Sequence, residues 1–257
     1  MKNSVVINSN LCIGCGKCAA DCVSSRISII NGKATFENGT CLECGHCFAV
    51  CPVNAVEMPG YDVSDCDTVG NMASFDSDEL LLAMKSRRSI RQFKSDTVSK
   101  DDIRKILEAG RYSPTGTNMQ DVHYTVITDA VDELENHAVS TFRKLKGTAA
   151  PFSSYISRFE IDDKFFTKGA PLIILLSGKS KTNVSIASAY MELIAESMGL
   201  GVLYSGFFIA AAKFSPKIKK ALDIPKGLTP YACLMIGYPN VEYKRLVPRK
   251  ELNVRYM

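Results

Sequence analysis

The pattern of hydrophobic and polar positions divides the chain of 257 residues into two parts. Residues 1–60 contain only short alternating stretches, at 5–7, 27–29, 33–36 and 55–57, which predict small strands. Asn31-Gly32 lies between two of these stretches and predicts a tight hairpin turn. Residues 61–77 are rich in Gly, Asp and Ser and lack a periodic apolar pattern. They predict a linker between two domains, 1–60 and 78–257.

Longer periodic segments follow the linker. The run Ser99-x-x-Asp102 predicts a capping box at the start of a helix, and the uniformly apolar stretch 172–177 predicts a buried, central strand. In chain order we predict helices at 78–86 and 99–109, strands at 122–128 and 172–177, helices at 185–198, 207–214 and 216–221, and a strand at 231–236. This irregular order of helices and strands indicates a three-layer α+β domain.

Eight of the ten cysteines fall in two runs with the same spacing, Cys-x2-Cys-x2-Cys-x3-Cys. This spacing is typical of paired 4Fe-4S clusters, in which the fourth cysteine of each run binds the cluster of the other run. The first cluster is therefore assigned Cys12, Cys15, Cys18 and Cys51, and the second Cys41, Cys44, Cys47 and Cys22.

Two other uses of cysteine fit this pattern less well. Structural zinc takes four ligands from two separated pairs, whereas each run here supplies four closely spaced cysteines. A disulfide framework is typical of small secreted chains, and the first ten residues lack a basic start followed by a long apolar run. Cys66 and Cys233 lie outside both runs and are interpreted as ordinary residues.

The cysteine runs belong to an internal repeat, in which residues 12–29 overlay residues 41–58 with an offset of about 29. Val23 stands where Pro52 follows the second run, a difference that affects the bend after the ligand and not the ligand set. Residues 1–60 resemble the bacterial-type ferredoxin. The resemblance implies a small ferredoxin-like domain that holds two 4Fe-4S clusters.

Composition and charge exclude some classes of protein. Hydrophobic residues make up 46% and charged residues 23% of the chain, as in ordinary soluble proteins. No apolar run approaches the roughly 20 residues that a membrane helix needs, so we expect a cytoplasmic protein without a membrane segment. The net charge of +4 is not concentrated in a block of lysine or arginine, which gives little support for nucleic acid binding.

Three stretches of the second domain carry candidate chemistry. In an extended segment over 87–93, Arg87, Ser89 and Arg91 point to one side, where guanidinium and hydroxyl groups suit a phosphate monoester. The polar stretch 113–120 can hydrogen-bond a flat heterocycle, and the glycines of 198–206 allow the backbone to approach a ligand. Each stretch taken alone is also compatible with an ordinary surface segment.

The order of these stretches, followed by Gly237-Tyr238-Pro239 and Pro248-Arg249, resembles the FMN-dependent nitroreductase family across residues 78–250. The resemblance implies an intertwined homodimer with two FMN molecules at its interface. It implies contacts with the phosphate and ribityl chain from Arg87, Arg88, Ser89, Arg91, Arg249 and Lys250, contacts from the partner subunit by Pro114, Thr115, Asn118 and Gln120, and backbone contacts at the flavin N5 edge from Ser205 and Gly206.

This chain departs from many members of that family after Gln120, where it continues with Asp121-Val122 instead of Pro-Trp, and it contains no tryptophan. The substrate preference is therefore not carried over. No side chain is assigned as catalytic, because the flavin supplies the chemistry. Tyr204, beside the flavin segment, is a candidate for shaping the pocket.

The combination of the two domains predicts an FMN- and iron-sulfur-dependent oxidoreductase that reduces nitroaromatic or other conjugated electrophilic small molecules. Electrons would pass from a ferredoxin or NAD(P)H donor through the 4Fe-4S clusters to FMN. Two alternatives stay open. One is an electron-transfer or redox-sensing flavoprotein module that serves a protein partner, and the other is ene-reductase or dehalogenase chemistry on the same FMN.

Overall fold

The computed structural model describes residues 5–37, 39–64, 66, 76–149, 158 and 160–257, so most of the predicted linker lies outside the described residues. The chain divides into two compact units. The smaller unit is Met1–Ser74 with Gly116–Met119, and the larger unit is Phe75–Thr115 with Gln120–Met257. The segment 116–119 therefore belongs to the smaller unit, although it lies far from residues 1–74 in sequence.

Among its described residues, the smaller unit contains two antiparallel pairs of strands, two short α-helices and a 3-10 helix, Gly116–Asn118. Strand β1 (Val6–Ile7) pairs with β4 (Val56–Glu57), β2 (Ile27–Ile30) pairs with β3 (Lys33–Phe36), and the helices are α1 (Lys17–Ala20) and α2 (His46–Ala49). Asn31 and Gly32 have φ angles of 49° and 75°, the left-handed values that a two-residue hairpin turn needs. The predicted strands and the hairpin turn are confirmed.

A four-stranded antiparallel sheet with the order β5-β6-β8-β7 forms the centre of the larger unit. Its strands are β5 (His123–Ile127), β6 (Leu172–Gly178), β7 (Gly201–Tyr204) and β8 (Thr229–Gly237). Strand β6 is buried along its whole length and lies between β5 and β8, which confirms the predicted central strand.

Six helices of the larger unit are described: α3 (Ser77–Ser86), α4 (Lys100–Arg111), α5 (Val131–Ala149), α6 (Lys181–Ser197), α7 (Gly206–Phe214) and α8 (Pro216–Leu222). The Ser99 hydroxyl accepts a hydrogen bond from Asp102 N at 3.0 Å, which confirms the predicted cap of α4. Helix α6 begins earlier than the predicted residue 185, because Ser180 caps it by accepting from Asn183 N.

The two faces of the sheet pack against different helices. Ile173 and Leu175 of β6 belong to one core cluster, and Leu172, Ile174 and Leu176 belong to the other. The first cluster includes Leu134 of α5, Phe208 of α7 and Ile218 of α8, and the second includes Ile106 of α4 and Met191 of α6. Helices on both faces of a sheet make three layers, as predicted.

Helix α5 and strand β7 are elements that the sequence pattern did not predict. Residues 198–206 contain three glycines, which suggested a loop near a ligand, yet Gly201–Tyr204 pairs with β8 from Gly237 to Leu234. Strand β8 pairs along its length with β6, and its other edge forms the hydrogen bonds that stabilise the four-residue strand β7. In the part of the chain that the structure describes, no helix has the length and apolar composition needed to cross a membrane.

Candidate functional site

The first of two cavities in the smaller unit is surrounded by thiols from both cysteine runs. Cys12, Cys15 and Cys18 come from the first run and Cys51 from the second. The cavity has an empty volume of about 330 Å³, part of it open to solvent. The structure thus gathers the four cysteines that the spacing assigned to the first cluster.

The second cavity repeats this arrangement with the runs exchanged. Cys41, Cys44 and Cys47 come from the second run and Cys22 from the first, around an empty volume of about 400 Å³ that is also partly open. Burial raises the pKa of the Cys47 thiol to about 11. Iron would have to displace that proton on binding, as metals do when they take thiolate ligands.

Backbone amides point at the sulfur atoms. Gly14 N and Ala34 N lie 3.4 and 3.3 Å from Cys12 Sγ, and Ala55 N lies 3.2 Å from Cys51 Sγ. Around the second cavity, Arg26 N lies 3.3 Å from Cys22 Sγ and Glu43 N lies 3.4 Å from Cys41 Sγ. The bonds from Ala34 and Gly14, together with the charge of Lys33, lower the pKa of Cys12, because they stabilise its thiolate.

The donor set and its spacing fit iron-sulfur clusters. Soft thiolate ligands select zinc or iron-sulfur clusters. Among the described residues, no group of three or more His, Cys, Asp or Glu side chains is arranged to hold a single metal ion. Four thiols around each cavity, at the spacing of the two cysteine runs, are the ligand set that a 4Fe-4S cluster takes.

In the larger unit, the arginine-rich segment lies beside the strand that leads to Ser205 and Gly206. Ser89 forms a parallel bridge with Val202 of β7, and Ile90 N donates to Val202 O at 3.0 Å. A Cβ atom on Gly201 would lie 2.3 Å from Ile90 Cγ1, so only glycine permits this close approach. The structure thus brings together two of the three stretches that the sequence singled out.

Arg87 forms an ion pair at the centre of this region. Its Nη1 donates to Glu192 Oε1 of helix α6 at 2.6 Å, and the two side chains are 26% and 9% exposed. A charge-assisted hydrogen bond of this length between poorly exposed groups fixes the guanidinium in one orientation. The ion pair uses one nitrogen of Arg87 and leaves its other donors available.

The Tyr204 hydroxyl belongs to the same polar cluster. The side chains of Ser188 and Glu192 lie close to it. Burial of the phenol, which outweighs the effect of Ser188, raises the pKa of Tyr204 to about 12. Tyr204 is therefore neutral near pH 7 and available as a hydrogen-bond donor.

A second carboxylate, Glu196, lies one helical turn after Glu192 and is close to it and to Arg87. Its Oε1 is buried and has no hydrogen-bond partner in the described part of the chain. Burial and the neighbouring charge of Glu192 raise the pKa of Glu196 to about 7, and Arg87 offsets this only in part. The cluster therefore gains or loses a proton near neutral pH.

Basic side chains converge at the C-terminal end of α3. Arg88 Nη2 donates to Lys85 O at 3.1 Å. Lys85 and Arg249 line one open cavity, together with Met84, Leu246 and Val247. The predicted phosphate ligands Arg88 and Arg249 thus both lie near Lys85, and Arg91, Arg249 and Lys250 are exposed.

Ser205 and Gly206 lie at the start of α7. Ser205 N donates to Cys233 O at 2.8 Å, which ties this turn to β8, and the Ser205 side chain does not cap the helix. A side chain on Gly206 would meet no atom within 4 Å. The backbone of this turn therefore faces open space, as a backbone segment that contacts a flavin must.

The loop with Pro114, Thr115, Asn118 and Gln120 is strained and divided between the units. Thr115 Oγ1 accepts from Gln120 N at 3.1 Å, and Thr117, Asn118 and Gln120 have φ angles of 51°, 54° and 44°. Within the smaller unit, Asn118 Nδ2 donates to Leu42 O at 3.1 Å and to Glu43 O at 2.9 Å. Positive φ at three residues other than glycine is often found at functional sites.

Asp121 explains one departure from the family pattern. Its carboxylate accepts hydrogen bonds from Lys179 N at 2.8 Å, Ser180 N at 3.1 Å and Asn183 Nδ2 at 2.7 Å. Burial opposes ionisation, but the bonds from Asn183 and the two amides lower the pKa of Asp121. Asp121 therefore stabilises the start of α6.

Sequence reasoning missed Glu192, Glu196 and Lys85. The sequence did contain a signal for Glu192 and Glu196. They are two acidic residues four positions apart in a predicted helix, and most of the residues around them are small or apolar. Nothing in the local pattern marked Lys85, which is one of several exposed polar residues of α3.

Known protein families match both parts of the chain. The model of the nitroreductase family matches residues 84–238, and the model of the 4Fe-4S dicluster domain matches residues 11–55. An iodotyrosine deiodinase of Thermotoga neapolitana is 25% identical over 189 residues, which cover 67% of this chain and 94% of the relative.

Solved structures agree on the fold of the larger unit. A nitroreductase with bound FMN from Desulfitobacterium hafniense superposes with a TM-score of 0.58 and 21% identity, over 71% of this chain and 100% of the other. An FMN-bound nitroreductase from Bacteroides fragilis gives a TM-score of 0.56 and 21% identity, over 69% and 99%. With a family model that matches more than half of its residues, the chain belongs to the nitroreductase family and carries a 4Fe-4S dicluster domain before the nitroreductase domain.

Proposed function

We propose that the protein is an FMN-dependent oxidoreductase in which two 4Fe-4S clusters accept single electrons from a reduced ferredoxin-type donor and pass them to FMN, whereas NAD(P)H, a hydride donor, would reduce FMN directly. The final acceptor is a small conjugated electrophile such as a nitroaromatic compound. The observation that carries this proposal is the presence, in one chain of the nitroreductase family, of two cavities that are each surrounded by four thiols. A nitroreductase domain that takes hydride directly from a nicotinamide has no need of such cavities.

The flavin half of the proposal rests on the larger unit. FMN, when bound, supplies both one-electron and two-electron transfer, which is what links a cluster to an organic acceptor. Arg88, Lys85 and Arg249 provide the positive charge that a phosphate monoester needs. Arg87, fixed by Glu192, and Tyr204 border the strand that leads to Ser205 and Gly206.

Exposed apolar residues support the proposed homodimer. On α3, Leu80, Leu81, Leu82 and Met84 are 39 to 57% exposed. Near the end of the chain, Leu252, Val254 and Tyr256 are 54 to 92% exposed. Apolar side chains at this density indicate a surface that another protein covers, and a second copy of this chain is the partner that the family supplies.

An anaerobic titration tests the function. Purified protein with its cofactors is reduced with reduced ferredoxin, NADH or NADPH in separate runs, and nitroaromatics, quinones and enones are then added while flavin and cluster absorbance are recorded. We expect at least one acceptor to reoxidise the protein many times faster than it reoxidises free FMN. Reoxidation no faster than that of free FMN by every acceptor would contradict the enzyme and favour an electron-transfer module for a protein partner.

A second candidate function is reductive dehalogenation, which the similarity to the iodotyrosine deiodinase of Thermotoga neapolitana favours. The same titration separates the two candidates when halogenated and halogen-free phenols of equal size are compared. Release of halide together with reoxidation would support dehalogenation. Reoxidation by nitroaromatics without halide release from the phenols would support the first candidate.

A further inference from the structure

The two cysteine runs match in their ligands and differ in their charges. With an offset of 29 residues, Lys17 corresponds to His46 and Gly14 corresponds to Glu43. Each of these residues lies between or beside two ligands of one cluster. The surroundings of the two cavities are therefore electrostatically different, although their thiols are arranged alike.

Two lysine side chains lie at or near the first cavity. Lys17 lines it, and Lys33 Nζ donates to Cys12 O at 2.5 Å, next to a ligand sulfur. Cys12 Sγ also accepts two backbone amide hydrogens, from Gly14 and Ala34. Within the described residues, no carboxylate lines this cavity.

Carboxylates lie beside the second cavity. Glu43 and His46 line it, and His46 Nδ1 lies 3.0 Å from Asp21 Oδ2. The Tyr61 hydroxyl donates to Glu43 Oε2 at 3.3 Å. Arg26 brings one positive charge nearby, but its Nε is directed to Ser24 O at 2.8 Å. Among the residues that the structure describes here, two carboxylates thus lie near the second cavity with one permanent cation, Arg26.

Glu43 has the same left-handed backbone conformation as the glycine that it corresponds to in the repeat. Glu43 has a φ angle of 50° and the corresponding Gly14 a φ angle of 69°, so both repeats use the conformation that favours glycine. A residue other than glycine is strained in that conformation. The second repeat keeps a carboxylate where glycine would fit with less strain.

We infer that the two clusters have different reduction potentials, with the cluster of the first cavity the easier to reduce. This inference rests on the two clusters of the proposed function. Reduction adds one electron to a 4Fe-4S cluster from an external reductant and makes or breaks no bond, so its free energy follows the local charge. Lys17 and Lys33 stabilise the added charge at the first cluster, and Glu43 opposes it at the second. The first electron to enter the smaller unit therefore resides on the first cluster.

An anaerobic redox titration with dithionite and mediators, monitored by EPR, tests this order on the full chain with its cofactors. We expect two signals with separate midpoint potentials. In Lys17→Gln and Lys33→Gln the signal with the higher potential moves lower, and in Glu43→Gln and Glu43→Gly the signal with the lower potential moves higher. Lys33→Arg keeps the charge and should leave both potentials in place. Lys220→Gln removes one charge at an exposed position of α8 and is the matched control.

The outcomes separate this inference from the proposed function. Iron and sulfide content below two clusters per chain would overturn both. Two clusters that share one midpoint potential, or a Glu43→Gln variant in which only the higher potential moves, would overturn the assigned order alone. Two potentials that respond to the lysine and glutamate variants as described would establish it.

Discussion

The guanidinium of Arg87 carries donors on three nitrogen atoms, and the ion pair with Glu192 occupies only Nη1. Such an arrangement lets one carboxylate fix the direction in which the remaining donors point. Arg87 is 26% exposed at its side chain, so those donors can reach a ligand at the surface of the larger unit. Glu192 is therefore a positioning residue for the proposed flavin site.

We expect Glu192→Ala to weaken FMN binding about tenfold, a loss of about 1.4 kcal/mol, because Arg87 loses the partner that orients it. Fluorescence titration of the FMN-free protein measures the affinity, and the iron content should stay unchanged. Glu133→Ala removes an exposed carboxylate of α5 and serves as the control. Tighter FMN binding in Glu192→Ala would show instead that Glu192 competes with the phosphate for Arg87.

Glu196 makes the stability of the protein depend on pH. Its pKa is about 7 in the folded protein and 4.5 in an ordinary environment, so the folded state binds more protons than the unfolded state between these values. Stability therefore falls as pH rises from 4.5 to about 7. The contribution is of the order of 1 kcal/mol, since partial exposure screens it.

The variant Glu196→Gln should lose this dependence on pH and become more stable than the natural protein at pH 8. Denaturant unfolding of both proteins under anaerobic conditions, at a series of pH values from 5 to 8, measures the difference. If the free energy of unfolding changes with pH by the same amount in both proteins, the titrating group is a residue other than Glu196.

At the scale of elements, each short helix of the smaller unit contains the third cysteine of its run, Cys18 in α1 and Cys47 in α2. The fourth cysteine, Cys22 or Cys51, lies two residues after the end of its helix and lines the other cavity. Each cysteine run therefore contributes side chains to both cavities. We therefore expect the loss of a cysteine run to affect both of the proposed clusters.

Replacing Cys51 with Ser should disturb the first cluster, although Cys51 belongs to the second run, because its thiol lines the first cavity. EPR and iron analysis of the reduced variant should show loss or alteration of the signal with the higher potential. Cys66→Ser changes an exposed cysteine outside both cavities and should retain full iron content. Loss of the other signal alone in Cys51→Ser would reject the exchanged ligation.

At the scale of the whole molecule, the proposed flavin site needs a second subunit, since the resemblance assigns Pro114, Thr115, Asn118 and Gln120 to the partner's flavin. Leu82 is 57% exposed on α3, the helix whose C-terminal end bears Lys85. A charge at Leu82 would be buried without a partner in the dimer.

We expect Leu82→Glu to shift the protein from dimer to monomer and to reduce its FMN content severalfold, with the clusters retained. Light scattering coupled to size-exclusion chromatography measures the mass, and absorbance measures both cofactors. Ala221→Glu, at an exposed position of α8, adds the same negative charge away from α3 and is the control. A dimeric Leu82→Glu variant with full FMN content would show that α3 is not part of the interface.

The sequence determined those features whose chemistry is local. The two cysteine runs, the Asn31-Gly32 turn, the Ser99 cap and the apolar strand β6 depend on a few neighbouring residues, so spacing and pattern were sufficient. The order of helices and strands then determined the three layers, because amphipathic helices must cover both faces of an apolar strand.

Only the tertiary structure decided which distant residues meet. Arg87 and Glu192 are 105 residues apart, and Asn118 and Leu42 are 76 apart, so no local pattern joins them. Strand β7 forms because its backbone pairs with β8. The role inferred for Glu43 depends on its position beside the second cavity. Local spacing was sufficient to identify the candidate cluster ligands and the basic segment. Long-range packing determined which charged side chains lie near them and how those side chains are oriented.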